Sequence, residues 1–214
     1  LILGLLTLQK DFGQSVLFAA IWGFQLFLGG YRMIWIVGLG GLGGAAGFAA
    51  YTFMPHVQSR IAGFITAGGE QYQLKRAADA FNDGGWLGVG PGEGLVKDAI
   101  PDVHNDFIFS VLGEEFGLMA CIGVLLIYTL LVLRGVALTA RHDSLFTALA
   151  AAGLVSQLGL QALINMASTL ALIPTKGMTL PFLSYGGSSL LSLAISMGIF
   201  LALTRRRPRQ ESVL

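Results

Sequence analysis

The sequence predicts an all-α protein, a polytopic transmembrane helix bundle with a long, partly helical extracytoplasmic loop. Composition is the first reason: hydrophobic residues make up 54% of the chain and charged ones 12%, with mean hydropathy +0.72, whereas soluble domains carry about 25% charged residues. Span length is the second. Phe12 to Gly30, Met33 to Met54, Phe107 to Leu133, Ser144 to Leu172 and Tyr185 to Thr204 hold almost no charge over the roughly 20 residues a helix needs to cross hydrocarbon. The third is contrast: Pro55 to Asp106 holds eleven of the chain's 25 Asp, Glu, Lys and Arg residues, and loops of that length are uncommon unless they function.

The opening LILGLLTL has neither an initiator Met nor a basic n-region, which argues against a signal peptide. It reads as the tail of a span begun upstream, so residues 1–214 are expected to form a single integral membrane domain, the C-terminal part of a larger one. Arg32 follows the first complete span, Arg134 and Arg141 lie between the third and fourth, and Arg205, Arg206, Arg207 and Arg209 follow the last. These fall on one side if every span crosses once, and the Lys/Arg bias makes that side cytoplasmic. Lys10, Asp11, the 55–106 loop and Lys176 then face the other side. Within the loop, QYQLKRAADAF (Gln71 to Phe81) sets Tyr72, Ala77, Ala78 and Phe81 beside charges, the pattern of a short helix on a membrane surface. Cys121, the single cysteine, lies within a span and excludes an intramolecular disulfide. A net charge of +1 carries no signal for nucleic acid, and no such partner is expected.

Two glycine clusters look like nucleotide motifs and are better read as structure. GLGGLGGAAG (Gly38 to Gly47) contains a formal GxGxxG, but no strand precedes it and it lies inside a span. Small residues there suit close helix approach. GVGPGEG (Gly88 to Gly94) lacks the Lys-Ser/Thr ending of a phosphate loop, and Pro91 suggests a bent turn whose exposed amides could still meet a phosphate.

Polar residues pattern the last two spans. Gln157, Gln161 and Asn165 recur every four residues, as do Ser184, Ser188, Ser192 and Ser196, giving each helix one wet side. Interhelical hydrogen bonding accounts for Gln157 and Ser196, while Ser184 and Ser188, close to Lys176, could also line a polar groove. At the third span, Asp106 stands where an N-cap would, yet His104 and Asp102 precede it and Glu114 and Glu115 follow. Ionised groups in hydrocarbon are costly, so the two glutamates mark either a working cavity or a paired, buried site.

IPDVHNDFIFSVLGEEFGL (Ile100 to Leu118) and LIPTKGMTLPFLSYGGSSLL (Leu172 to Leu191) resemble the two signature regions of the SEDS family, the FtsW and RodA proteins of bacterial cell-wall synthesis. KDFGQS (Lys10 to Ser15), MPHVQSRIAGF (Met54 to Phe64) and GGEQYQLKRAADAFNDGGWLGVGPGEG (Gly68 to Gly94) extend the resemblance in family order over nearly the whole chain. PTKG at Pro174 to Gly177 leans toward the cell-division branch. Lys10 stands where the family usually has Pro, and the family's ten spans exceed those present here.

The resemblance implies a peptidoglycan glycosyltransferase that polymerises lipid II in the bacterial inner membrane, at the division septum. Its active site would be extracytoplasmic and its C-terminus cytoplasmic. Asp106 matches the family's essential loop aspartate and would act as general base, or as ligand for a divalent cation, Mg or Mn, shared with substrate. Lys176 would hold the departing pyrophosphate as a point charge. Arg60 and Lys97 are further candidates for that task, with His104, Ser184 and Ser188 as substrate contacts and Glu114 and Glu115 as supporting carboxylates. Implied partners are lipid II, a class B penicillin-binding protein, other divisome proteins and membrane lipids. A lipid II flippase and a non-catalytic divisome scaffold are the alternatives. A flippase would place its polar groups near the bilayer midplane, whereas Asp106, His104 and Lys176 are expected at the outer face.

Overall fold

The computed structural model describes residues 12–55, 57–58, 62, 69–95, 103–140, 144–173 and 177–205. Among these the chain forms α1 (Phe12–Leu28), α2 (Met33–Phe53), α3 (Gly69–Gly84), α4 (Ile108–Thr139), α5 (Leu145–Thr169) and α6 (Gly187–Thr204), with no strand. Four of them, α2, α4, α5 and α6, are long and apolar enough to cross a membrane. The fifth expected span appears as α1, a helix of 17 residues whose upstream neighbours lie outside the described residues. The chain is a multi-pass helical membrane protein.

The bundle centres on α5, which packs against α1, α4 and α6. Glycines let α4 and α5 interdigitate: a Cβ at Gly135 would lie 2.6 Å from Val155 Cγ2, and one at Gly159 would lie 2.8 Å from Val132 Cγ2. Near the start of α5, Ala151 and Val155 meet Phe200 from the end of α6. The Gln25 amide, late in α1, reaches the Leu149 carbonyl at 3.5 Å. Arg32, which follows α1, Arg134, late in α4, and Arg205, which follows α6, therefore lie toward the same end of the bundle. The glycine stripe of α2 behaves differently from expectation, because nothing lies within 4 Å of a Cβ added at Gly38, Gly40, Gly41, Gly43, Gly44 or Gly47. No described element fills that close-packing surface.

Helix α4 is interrupted. Gly117 has φ 75° and ψ −176°, which breaks the helical path. From Leu118 to Thr139 the rise is about 33 Å, enough by itself for hydrocarbon about 30 Å thick. The stretch before the break, with Glu114 and Glu115, is covered by protein instead. Helix α3 docks on it through Phe81, which meets Phe109 edge-on at 5.8 Å between ring centroids. Leu74 and Ala77 pack with Val103 and Phe107. This corrects the surface-helix expectation: Leu74, Ala77, Ala80 and Phe81 form a face eight residues long that meets α4, while Ala78 is exposed.

The turn after α3 then slots into the break. Val89 N–H donates to the Glu114 carbonyl at 2.9 Å and Gly90 N–H to the Glu115 carbonyl at 3.1 Å, while Leu118 and Met119 donate back to Gly85 and Trp86 at 2.9 and 3.3 Å. Backbone groups freed where α4 breaks are thus paired within the protein, as hydrocarbon requires. Glycine is needed because the chains approach so closely: a Cβ at Gly88, where φ is +83°, would lie 2.1 Å from the Glu115 carbonyl oxygen.

Gly88→Ala should therefore destabilise the protein by about 1–3 kcal/mol through overpacking, with a lower melting temperature in detergent. Gly92→Ala is the control, having φ +82° but nothing within 4 Å of its added Cβ, and should cost about 1 kcal/mol for the left-handed backbone alone. Equal melting temperatures for the two variants would show that the turn does not press on α4.

Candidate active site

The site is assembled at the ends of three helices. Residues 103–106 turn into α4, whose N-cap is Phe107 rather than Asp106. Ser110 closes that first turn, its N–H and its hydroxyl both reaching the Phe107 carbonyl, at 2.9 and 2.7 Å. Asp106 falls one residue before that cap position. Its side chain lies at the wall of an open cleft of about 440 Å³, lined also by Asn105, Thr179, Tyr185, Gly186, Ser188 and Ser189.

The opposite wall is the non-helical segment between α5 and α6. Two amides of α5 hold it. Asn165 donates through Nδ2 to the Asp106 carbonyl at 2.9 Å and to the Met178 carbonyl at 2.5 Å. One turn away, Gln161 Nε2 donates to the Thr179 carbonyl at 3.0 Å. Leu180 and Pro181 are buried between α4 and α5, and the Tyr128 hydroxyl donates to the Pro181 carbonyl. Phe182 adopts a left-handed φ of 61°, uncommon for a bulky residue and most often found at functional sites. It turns the chain back toward α6, and Tyr185 N–H then donates to the His104 carbonyl at 2.9 Å.

The expected site residues divide accordingly. Asp106 and Ser188 share the cleft. His104 adjoins it through its carbonyl, and its side chain is exposed. Ser184 precedes α6 instead of sharing its face, is buried, and accepts the Leu180 N–H at 2.7 Å. The serine stripe therefore splits. Ser196 bonds the Ser192 carbonyl of its own helix at 2.9 Å, so its hydroxyl does not hold a neighbouring helix. Glu114, 2% exposed, does not line the cleft; its carboxylate lies beneath Gly94, where a Cβ would be 2.7–3.0 Å from it. Glu115 is half-buried beside the same turn. Arg60, Lys97 and Lys176 lie outside the described residues. Gly177, next to Lys176 in the chain, does face the site, since a Cβ there would be 3.4 Å from Asp106 Oδ2.

Asn165 and Gln161 were visible in the sequence as a polar stripe, but their partners were not. These two amides serve irregular backbone, not another helix. Asn165 Oδ1 is buried with no hydrogen-bond partner, an arrangement that costs about 1–3 kcal/mol.

The profile of the FtsW/RodA/SpoVE family, described as cell cycle protein, matches residues 1–209. A probable peptidoglycan glycosyltransferase FtsW of Caulobacter vibrioides is 43% identical over 205 residues, 95% of this chain and 53% of that relative. A relative of the same description from Methylomonas methanica is 38% identical, covering 91% of this chain and 52% of its own. The chain spans about half the length of the curated relatives it matches. Among solved structures, a chain from work on the structural coordination of polymerization and crosslinking by a peptidoglycan synthase complex superposes with TM-score 0.80 at 28% identity, over 97% of this chain and 60% of that one. A mutant of the rod shape determining protein RodA of Thermus thermophilus gives TM-score 0.64 at 28% identity, over 95% and 53%.

Removing the Ser184 hydroxyl leaves the buried Leu180 N–H without its acceptor, so Ser184→Ala should cost about 1–3 kcal/mol. Ser188→Ala and Ser196→Ala should leave thermal melting close to wild type. Melting curves of the three variants in one detergent check this; an unchanged Ser184→Ala would show that another group satisfies the turn.

Proposed function

Because the chain belongs to the FtsW/RodA/SpoVE family of cell cycle proteins, we propose that it carries the active site of a peptidoglycan glycosyltransferase that polymerises lipid II during cell division. The observation that carries this reading is the Asp106 cleft. A carboxylate, the hydroxyl-bearing residues Thr179, Ser188 and Ser189, and the first turn of α6 converge in one open cavity at the helix ends. In the reaction, the 4-hydroxyl of an acceptor GlcNAc forms a bond to the anomeric carbon of a donor MurNAc while the bond to undecaprenyl pyrophosphate breaks. Asp106 takes the hydroxyl proton as general base, a role that typically supplies 10²–10⁴-fold. The leaving pyrophosphate gains negative charge, which suits the unpaired N–H groups at the α6 N-terminus. Lys176, beside Gly177 in the chain, adds a point charge for the same group.

A divalent cation would fit this site as a ligand shared with substrate. A Mg or Mn ion would be held by Asp106 and by pyrophosphate oxygens, polarising the latter. The exposed apolar faces of the spanning helices accept the undecaprenyl chains. The cleft opens at the start of α4 and α6, away from their midpoints, which favours transfer chemistry over a midplane transport site. With Arg32, Arg134 and Arg205 grouped on the opposite face, the positive-inside bias makes the cleft extracytoplasmic and the C-terminus cytoplasmic, in the inner membrane at the septum. Its partner is a class B penicillin-binding protein among other divisome proteins.

Asp106→Asn in the full-length protein, assayed with labelled lipid II and its partner, should abolish polymer while melting temperature and partner binding are kept. A normal glycan ladder from that variant overturns the assignment. Lys176→Met should lower turnover at least tenfold, and Lys176→Arg should retain part of it because the charge persists. Wild-type turnover from Lys176→Met would remove Lys176 from the site.

A further inference from the structure

The two walls of the cleft belong to segments far apart in sequence, and one side chain holds both. Asn165 is fully buried on α5. Its neighbours at 2.9 and 2.5 Å are the carbonyls of Asp106 and Met178. Carbonyls only accept, so the amide must present its NH2 group to both, and no other side chain of that size carries two donors on one planar nitrogen. The Asn165 carbonyl is itself tied down by Ser168 and Thr169 hydroxyls at 2.8 and 2.9 Å, which fixes the last turn of α5 where the amide projects. Oδ1 is left buried and unpartnered, as follows from aiming the NH2 at both loops. Gln161 is a natural comparison, for it holds Thr179 of the same segment but makes no bond to the Asp106 loop.

We infer that Asn165 is a positioning residue for Asp106: it locks the Asp106 loop to the 177–180 segment so that the carboxylate keeps one distance from the opposite wall. The inference rests on the glycosyltransferase reading for its kinetic consequence, though not for its structural one. Misplacing a reacting group by about 1 Å costs roughly 10²-fold in rate, and release of the Asp106 carbonyl permits such a shift without removing any group that touches substrate.

The test uses the full-length protein with its partner and lipid II, comparing wild type with Asn165→Leu, Asn165→Asp and Gln161→Met. Asn165→Asp keeps the side-chain volume and loses the NH2, which covers the case in which Asn165→Leu fails to fold. Both Asn165 variants should lower kcat by roughly 10²-fold with KM within about threefold of wild type, whereas Gln161→Met should keep kcat within about threefold at a comparable fall in melting temperature. Hydrogen exchange read by mass spectrometry should show faster uptake at both 103–107 and 177–181 in the Asn165 variants, and at 177–181 alone in Gln161→Met. A kcat that follows melting temperature equally in all three variants, or faster exchange at one segment only in the Asn165 variants, overturns the inference. Absence of polymer from wild type would instead overturn the functional reading, and the exchange comparison would still decide the part played by Asn165.

Discussion

Unpaired backbone groups cannot be left in hydrocarbon, and the architecture follows from how this chain meets that requirement where it is not helical. Among the described residues, the turn from Gly85 to Gly94 and the stretch from Gly177 to Gly186 enter the bundle as irregular segments. Neither forms secondary structure of its own. The first exchanges backbone hydrogen bonds with α4 on both sides of Gly117, and the second is satisfied by the side-chain amides of α5 and the hydroxyls of Tyr128 and Ser184. Irregular backbone inside a membrane bundle is tolerated only where protein or a polar cavity surrounds it, which is why the cleft arises beside the second segment.

Helix α5 consequently has two different halves. Its early turns are apolar and small, with Ala151, Ala152, Gly153 and Val155 buried against neighbouring helices. Its later turns bury Gln161, Asn165, Ser168 and Thr169, polar side chains whose partners are loops. Packing at one end gives the bundle a rigid base, and hydrogen bonding at the other lets it carry a shaped surface. Rigid support of this kind holds the Asp106 carboxylate in one place at the cleft.

The three carboxylates near the start of α4 come to serve separate ends. Asp106 lies in the cleft, Glu114 is enclosed under Gly94, and Glu115 flanks the turn through its backbone. Asp106 lies in the turn before α4 whereas Glu114 lies within the helix, so closeness in sequence did not bring them to a common site. The glutamates instead belong to the joint between α3, its glycine turn and the break in α4.

Much of this was legible in the chain. Apolar runs separated by short basic turns determined a multi-pass helical protein, because span length and charge placement are local properties that hydrocarbon reads directly. The same sequence marked Asp106 and Ser188, and the four-residue recurrence of Gln161 and Asn165 marked a polar face. Tertiary structure alone decided what that face touches. Asn165 meets a carbonyl 59 residues away and another 13 away, and no periodicity encodes a pairing between a helix and an irregular segment. The break at Gly117 was likewise hidden, since glycine within an apolar run fits a continuous helix as well as a kink until a second chain segment competes for its backbone. Sequence fixes which groups need partners, whereas long-range closure of the chain settles which partners they find.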